Sequence, residues 1–224
     1  MRLMTATLVA FAAVFAPPDL PVVASHLVTG PSSRVDLTNT ANQPVTAWTF
    51  AITTQADGRV HRSFETVDAY MSEVTHDLPG SSPRLDKLMP GESRQFPLDP
   101  VPDGATADVI AVVLEDRTAL GDPATLKSIF DKRAVERDEL RKVAGAFSAV
   151  LPAKRGAAAL EDLKQRLAPS SGGELSVPHR SAIEAVETAL QRATAGNPDQ
   201  ADQLIRTYAA FVQRQYDVAA KHAR

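Results

Sequence analysis

Cysteine is absent from the 224 residues. That removes disulfide frameworks, thiolate nucleophiles, lipidated cysteine and cysteine-based zinc sites together. Aromatic residues make up 5%, with Trp48 the sole tryptophan, so stacking platforms for a sugar or a base are few. No G-x-S-x-G elbow, H-E-x-x-H helix, P-loop or dinucleotide fingerprint occurs. The histidines, His26, His61, His76, His179 and His222, are never at metal-ligand spacing. His61 with Asp57 and Asp68, or His76 with Asp77, can meet in space. A His–Asp pair without a nucleophile defines no reaction, and surface histidines beside turn aspartates are the simpler reading. The sequence therefore points to no catalytic residue, no cofactor and no metal.

Long apolar runs are also missing, except at the start. MRLMTATLVAFAAVFA carries one Arg and then an apolar stretch from Leu3 to Phe15. It is short for a membrane span and fits the central region of a secretory signal. Cleavage after Ala16 would put Pro17 beside the cut bond, which is unfavourable. Val22-Val23-Ala24 before Ser25 offers small residues at the recognition positions, so residues 1–24 are expected to be a signal peptide and the mature chain periplasmic or extracellular. An uncleaved anchor or an ordinary first helix are the competing readings. Only this signal segment is expected at a membrane.

What is present divides at about Asp122. From Ser25 to Asp122 there are 7 Lys+Arg against 14 Asp+Glu; from Pro123 to Arg224 there are 16 against 12. The acidic part, residues 25–122, reads as short strands separated by turn signals. Val35 and Leu37 alternate with polar residues, as do Trp48, Phe50 and Ile52, and the polar stretch Asn39–Pro44 between them suggests a hairpin. Asp57-Gly58 is placed to accept positive φ, so Arg59–Thr66 is expected to return as the partner of the Trp48 strand, and Pro90-Gly91 marks a type II turn. Val109–Leu114, apolar without alternation, reads as a central buried strand. His26–Thr29 reads as a short edge strand. These features predict an antiparallel sandwich with Val35, Leu37, Trp48, Phe50, Ile52, Val112 and Leu114 in its core.

The basic part, residues 123–224, changes to helical period. Asp122-Pro123 is an N-cap followed by Pro at the first helical position. The first helix is expected to reach about Val150, where Pro152 breaks it. Ala157–Leu167, His179–Ala195 and a last helix after Gly196-Asn197-Pro198 follow, with a flexible Pro169–Pro178 loop between the second and third. Leu204, Tyr208, Phe211, Gln215, Val218 and His222 repeat at alternating four and three spacing, read as an internal seam ahead of a dimerisation face. The predicted fold class is α+β: an N-terminal antiparallel immunoglobulin-like β-sandwich, then a helical region ending in an antiparallel helical hairpin.

The segments VDLTNTANQPVTAWTF, Asp57-Gly58 and MPGES (Met89 to Ser93) resemble immunoglobulin-like modules of exported bacterial proteins, among them the FxLYD-type family. Such modules begin with a strand ending in Asn, continue into a Trp- or Tyr-bearing strand, and carry a Pro-Gly-Glu turn before a Phe. The resemblance covers about residues 33–115. It implies a binding or scaffolding module of the cell envelope and brings no catalytic residues.

Charge clusters complete the reading. Glu115–Asp122, EDRTALGD, lacks the order of a calcium loop; Asp122 is needed as a helix cap. Lys127, Lys132, Arg133, Arg137, Arg141, Lys142, Lys154 and Arg155 are the strongest local charge bias. They alternate with Asp131, Glu136, Asp138 and Glu139, the pattern of an ion-paired helix surface without the base-reading groups of a nucleic-acid site, with contact to an acidic partner or an anionic envelope surface as the alternative. Yet Arg133 and Arg137 fall on the apolar face of the first helix. An unpaired guanidinium is too costly to bury. The expectation is that this helix packs back on the acidic sandwich, with Arg133 or Arg137 paired to Glu115, Asp116 or another sandwich carboxylate. The function expected is non-enzymatic: interaction with an unidentified protein partner, or scaffolding, in the envelope. A carbohydrate- or polymer-binding module is the runner-up, which burial of Trp48 would weaken, and an enzyme of unrecognised type is third. The sequence itself names no ligand and no oligomeric state.

Overall fold

The structure, a computed structural model, describes residues 20–76, 86–168 and 175–223. The apolar segment Leu3–Phe15, the Pro79–Pro83 loop, the Ser-Ser-Gly-Gly stretch after Pro169 and the side chain of His76 lie outside the described residues. The order is β1 (Val22–Val28), β2 (Arg34–Asn39), β3 (Val45–Ala56), β4 (Arg59–Asp68), α1 (Ser72–His76), β5 (Ser93–Pro97), β6 (Thr106–Leu114), β7 (Ala119–Gly121), α2 (Pro123–Val150), α3 (Gly156–Leu167), α4 (Val177–Thr194) and α5 (Pro198–His222). The protein is thus α+β, with strands first and helices after.

The strands form two antiparallel sheets, β1-β2-β5 and β4-β3-β6-β7. Their facing sides bury Val22, Val35 and Leu37 from the first sheet and Trp48, Phe50, Ile52, Val112 and Leu114 from the second. Alternation placed Val35, Leu37, Trp48, Phe50 and Ile52 here, and the apolar run placed Val112 and Leu114, because one face of each strand meets the other sheet; Val22, expected in the signal segment, joins them. Trp48 is fully buried and stands edge-on to Phe96, ring centroids 5.2 Å apart.

One expected pairing is corrected. β2 and β3 do not form a hairpin; they belong to different sheets. The Asn39–Pro44 stretch crosses the sandwich. Asn39, fully buried, organises the crossing: its Nδ2 donates to the carbonyls of Gln43 and Leu88, and its Oδ1 accepts from the Ala41 N–H. The hairpin partner of β3 is β4, across Asp57-Gly58, both at positive φ (53° and 71°). That is the turn that matches strand twist.

β1 also begins earlier than the His26–Thr29 strand the sequence suggests. Val22, Val23 and Ala24 pair with Asn39, Thr38 and Leu37, and Thr40 donates to the Pro21 carbonyl from both its N–H and its hydroxyl. The expected boundary at residues 24 and 25 therefore falls inside a strand.

Asp122 caps α2, accepting from the Thr125 N–H at 2.8 Å, while its own N–H donates to the Ile110 carbonyl. This ties the helix start to the sheet. Ile129 and Phe130 then cover Ala47 and Val113 on the outer face of the four-stranded sheet. Further along, Leu140, Val143, Phe147 and Val150 of α2 join Leu160, Leu163, Val186, Ile205 and Val212 in a helical core. On α5 the buried residues are Ala201, Ile205, Val212, Ala219 and His222. Of the expected stripe, His222 is buried, whereas Leu204, Tyr208, Phe211, Gln215 and Val218 are half-buried, beside the buried row. Both stripes are apolar, and spacing alone does not choose between them.

Candidate functional site

The two halves meet at a buried polar junction built where β4, β6, α2 and α5 come together. β4 ends at Asp68, and Tyr70 follows it into the helical core. Arg133, one turn after Phe130 on α2, is fully buried against this corner. Its Nη2 donates to Asp68 Oδ1 at 2.7 Å and its Nε to Asp68 Oδ2 at 3.0 Å, a two-pronged pair. Nη2 also reaches the Thr46 hydroxyl at 3.3 Å. The guanidinium carbon lies 4.6 Å from the centroid of the Tyr70 ring and 5.7 Å from that of Phe130. Tyr70 donates its hydroxyl to Glu136, one turn on from Arg133. Burial, followed by that bond to Glu136, holds the phenol proton far above its ordinary range.

A second cluster adjoins the first through Tyr70, whose ring lies 5.8 Å from that of His222. Lys87, buried, bridges Glu73 and Glu115, each at 2.8 Å. Lys221 reaches the other Glu115 oxygen at 3.1 Å, and His222 Nε2 stands 3.5 Å from it. Burial works against the Glu115 charge, but the hydrogen bonds from Lys87 and Lys221 outweigh it and keep the carboxyl below its usual range. His222 is 1% exposed, and its Nδ1 has no hydrogen-bond partner among the described residues. Burial pushes its pKa down to about 4, against the pull of Glu115.

The predicted residues thus separate. Arg133 meets a sandwich carboxylate, but it is Asp68 on β4. Glu115 sits in the same junction and pairs with Lys87 and Lys221 instead. Asp116 turns outward to Gln43 and Thr118, and Arg137 pairs with Asp138 beside it on α2. A buried Arg takes the carboxylate that its helix face packs against, here Asp68 at the end of β4. Asp116 lies past the strand end, where local turn partners win. Trp48 is sealed in the core, with no face open to a ligand. Lys87, Asp68 and Tyr70 were not legible beforehand, since nothing in LDKLMPGES marks its Lys for burial. His222 carried a signal as the last position of the α5 stripe.

Chemically the junction is an electrostatic joint. Asp68, Glu73 and Glu115 are engaged by cations and Glu136 by the Tyr70 hydroxyl, and two surface cavities touch none of Lys87, Glu115, Arg133 or His222. The first cavity, about 990 Å³, lies between β1 and the β6–β7 side, lined by Leu20, Val22, Val109, Asp122, Arg62 and Phe64. The second, about 920 Å³, is a trough along α4 and α5. His61 lines neither and is exposed on β4. Compared with family models, with curated proteins and with solved structures, the chain matches none.

Proposed function

We propose that the protein is an exported, non-enzymatic module for protein interaction or envelope scaffolding, built on an immunoglobulin-like sandwich with a helical region that ends in an antiparallel hairpin. The strand order β1-β2-β5 over β4-β3-β6-β7 supports the immunoglobulin-like reading, because the chain crosses to the opposite sheet after β2 and returns with β5 beside β2, as in Greek-key sandwiches. The three residues 195–197 between α4 and α5 support the hairpin. The resemblance of residues 33–115 to FxLYD-type modules points the same way.

The observation that carries the interaction reading is β4. It is an edge strand, paired only with β3, and its residues from Arg59 to Thr66 are exposed. Val60 and Phe64 stand in solvent at 66% and 56% exposure, with the Arg62 guanidinium over the Phe64 ring. An edge of this kind accepts an extended segment of another protein as an added strand, with Phe64 as its side-chain anchor. Arg59, Arg62 and Glu65 are the charges by which such an edge resists pairing at random.

Export rests on the Leu3–Phe15 run. Among the described residues no helix is long and apolar enough to cross a membrane. A cut after Ala24 would strip Val22, Val23 and Ala24 from β1, so we place the cut upstream of Leu20. Sequencing the mature N-terminus checks this: a start before Leu20 is expected, and a start at Ser25 or an intact cytosolic Met1 chain contradicts it. A photo-crosslinker at position 64, in cells, tests the interaction. Adducts with an envelope protein are expected from position 64 and not from the exposed Val135 on α2. Equal adducts from both positions, or none, defeat the proposal.

A further inference from the structure

α5 buries one apolar row and leaves a second half-covered. Ile205, Val212 and Ala219 face the helical core; Leu204 and Tyr208 pack against the edge of that core and, with Phe211, line the outward trough against α4, all three half-buried. Among the described residues Phe211 joins neither the sandwich core nor the helical core, and the Tyr208 ring lies 6.3 Å from its own. The α4 side of the trough carries Glu184, Thr188 and Arg192, all exposed, at four-residue spacing along one stripe. Opposite charges therefore stand about 6 Å to either side of Thr188 along the helix axis.

That arrangement is self-complementary. When two copies of α4 pack antiparallel about a two-fold axis at Thr188, Arg192 of each copy meets Glu184 of the other, twice over. An isologous contact needs a patch that matches itself in this way. The face is also of suitable size: α4 is about 27 Å long, and two adjacent helices are about 20 Å across. This gives a flat footprint of roughly 540 Å², of the order of the roughly 800 Å² of accessible surface that each partner buries in a standard interface.

We infer that the outer face of α4 and α5 is a homodimer interface, with Leu204, Tyr208 and Phe211 as its apolar centre and the reciprocal Arg192–Glu184 pairs fixing the antiparallel register. It uses the opposite half of the molecule from β4 and goes beyond the interaction reading above.

Sedimentation velocity on the purified protein over a concentration series tests it. A concentration-dependent dimer is expected. R192E sets like charges against each other at two symmetry-related places and should weaken association about tenfold. The double reversal E184R/R192E restores opposite signs and should recover it. F211E should abolish the dimer while the helical circular dichroism and melting midpoint stay at wild-type values, since Phe211 lies outside the core clusters. A monomer at every concentration, or a dimer indifferent to F211E, overturns the inference; failure of the double reversal to recover what R192E loses overturns the register.

Discussion

Replacing Arg133 by Met keeps an apolar stem of similar length and deletes the guanidinium. Arg133 is fully buried, while the Asp68 side chain remains 26% exposed. Breaking a fully buried pair costs about 3–5 kcal/mol, because one charge is left without compensation. Here water reaches Asp68 once the Arg is gone, which draws the cost toward the lower end. Loss of the stacking on Tyr70 at 4.6 Å works against that relief by about 1 kcal/mol. The expected loss is about 3 kcal/mol, read from urea unfolding. A double-mutant cycle with D68N isolates the pair, and its coupling energy should be about 2 kcal/mol. R137M is the control: its pair with Asp138 is part-exposed on the helix surface and should cost under about 1 kcal/mol. An R133M protein within about 0.5 kcal/mol of wild type, or a coupling energy near zero, would mean that the guanidinium is solvated and the junction misread.

Acid should loosen the same region. The unfolded chain protonates His222 near its ordinary value of 6.5, while the folded chain resists until about 4. Stability is therefore level above about pH 7, falls by about 3 kcal/mol between pH 6.5 and pH 4, and is flat again below that for this group. Glu115, held low when folded, adds a loss in the same direction at lower pH. Urea midpoints across this range should fall steeply for wild type and less for H222Q; parallel profiles would remove His222 from the account. G121A should cost about 3 kcal/mol or more in the same assay. Gly121 has φ +113°, and an added Cβ would lie 2.1 Å from the Ile110 carbonyl oxygen, to which the next residue, Asp122, already donates. A stable G121A protein would show that β7 shifts freely.

Much of the sandwich was legible because strand alternation reports burial directly. Val35 and Leu37, and Trp48, Phe50 and Ile52, went to the core as their spacing requires. Alternation says which face is buried, however, and not which strand lies beside it, so β2 and β3 read as a hairpin although they lie in opposite sheets. Asn39 carried the missing information in side-chain bonds that reach Leu88, far along the chain. On α5, the Leu204 and Ile205 stripes are both apolar with the same period, and only the position of α4 and the helical core selects the second. Arg133 was legible through cost: a cation on an apolar face needs a carboxylate. Which carboxylate depended on the path of β4, and the burial of Lys87 on the meeting of Glu73 from α1 with Glu115, which Lys221 and His222 of α5 also reach. Neither is written in local sequence.

The central claim is that the polar junction makes sandwich and helices one cooperative unit. Trp48, sealed among sandwich residues, reports one half by fluorescence, and circular dichroism at 222 nm reports chiefly the helices. Urea unfolding followed by both probes on one sample tests the claim most directly. The account predicts coincident midpoints for the wild-type protein; two separated transitions would contradict it.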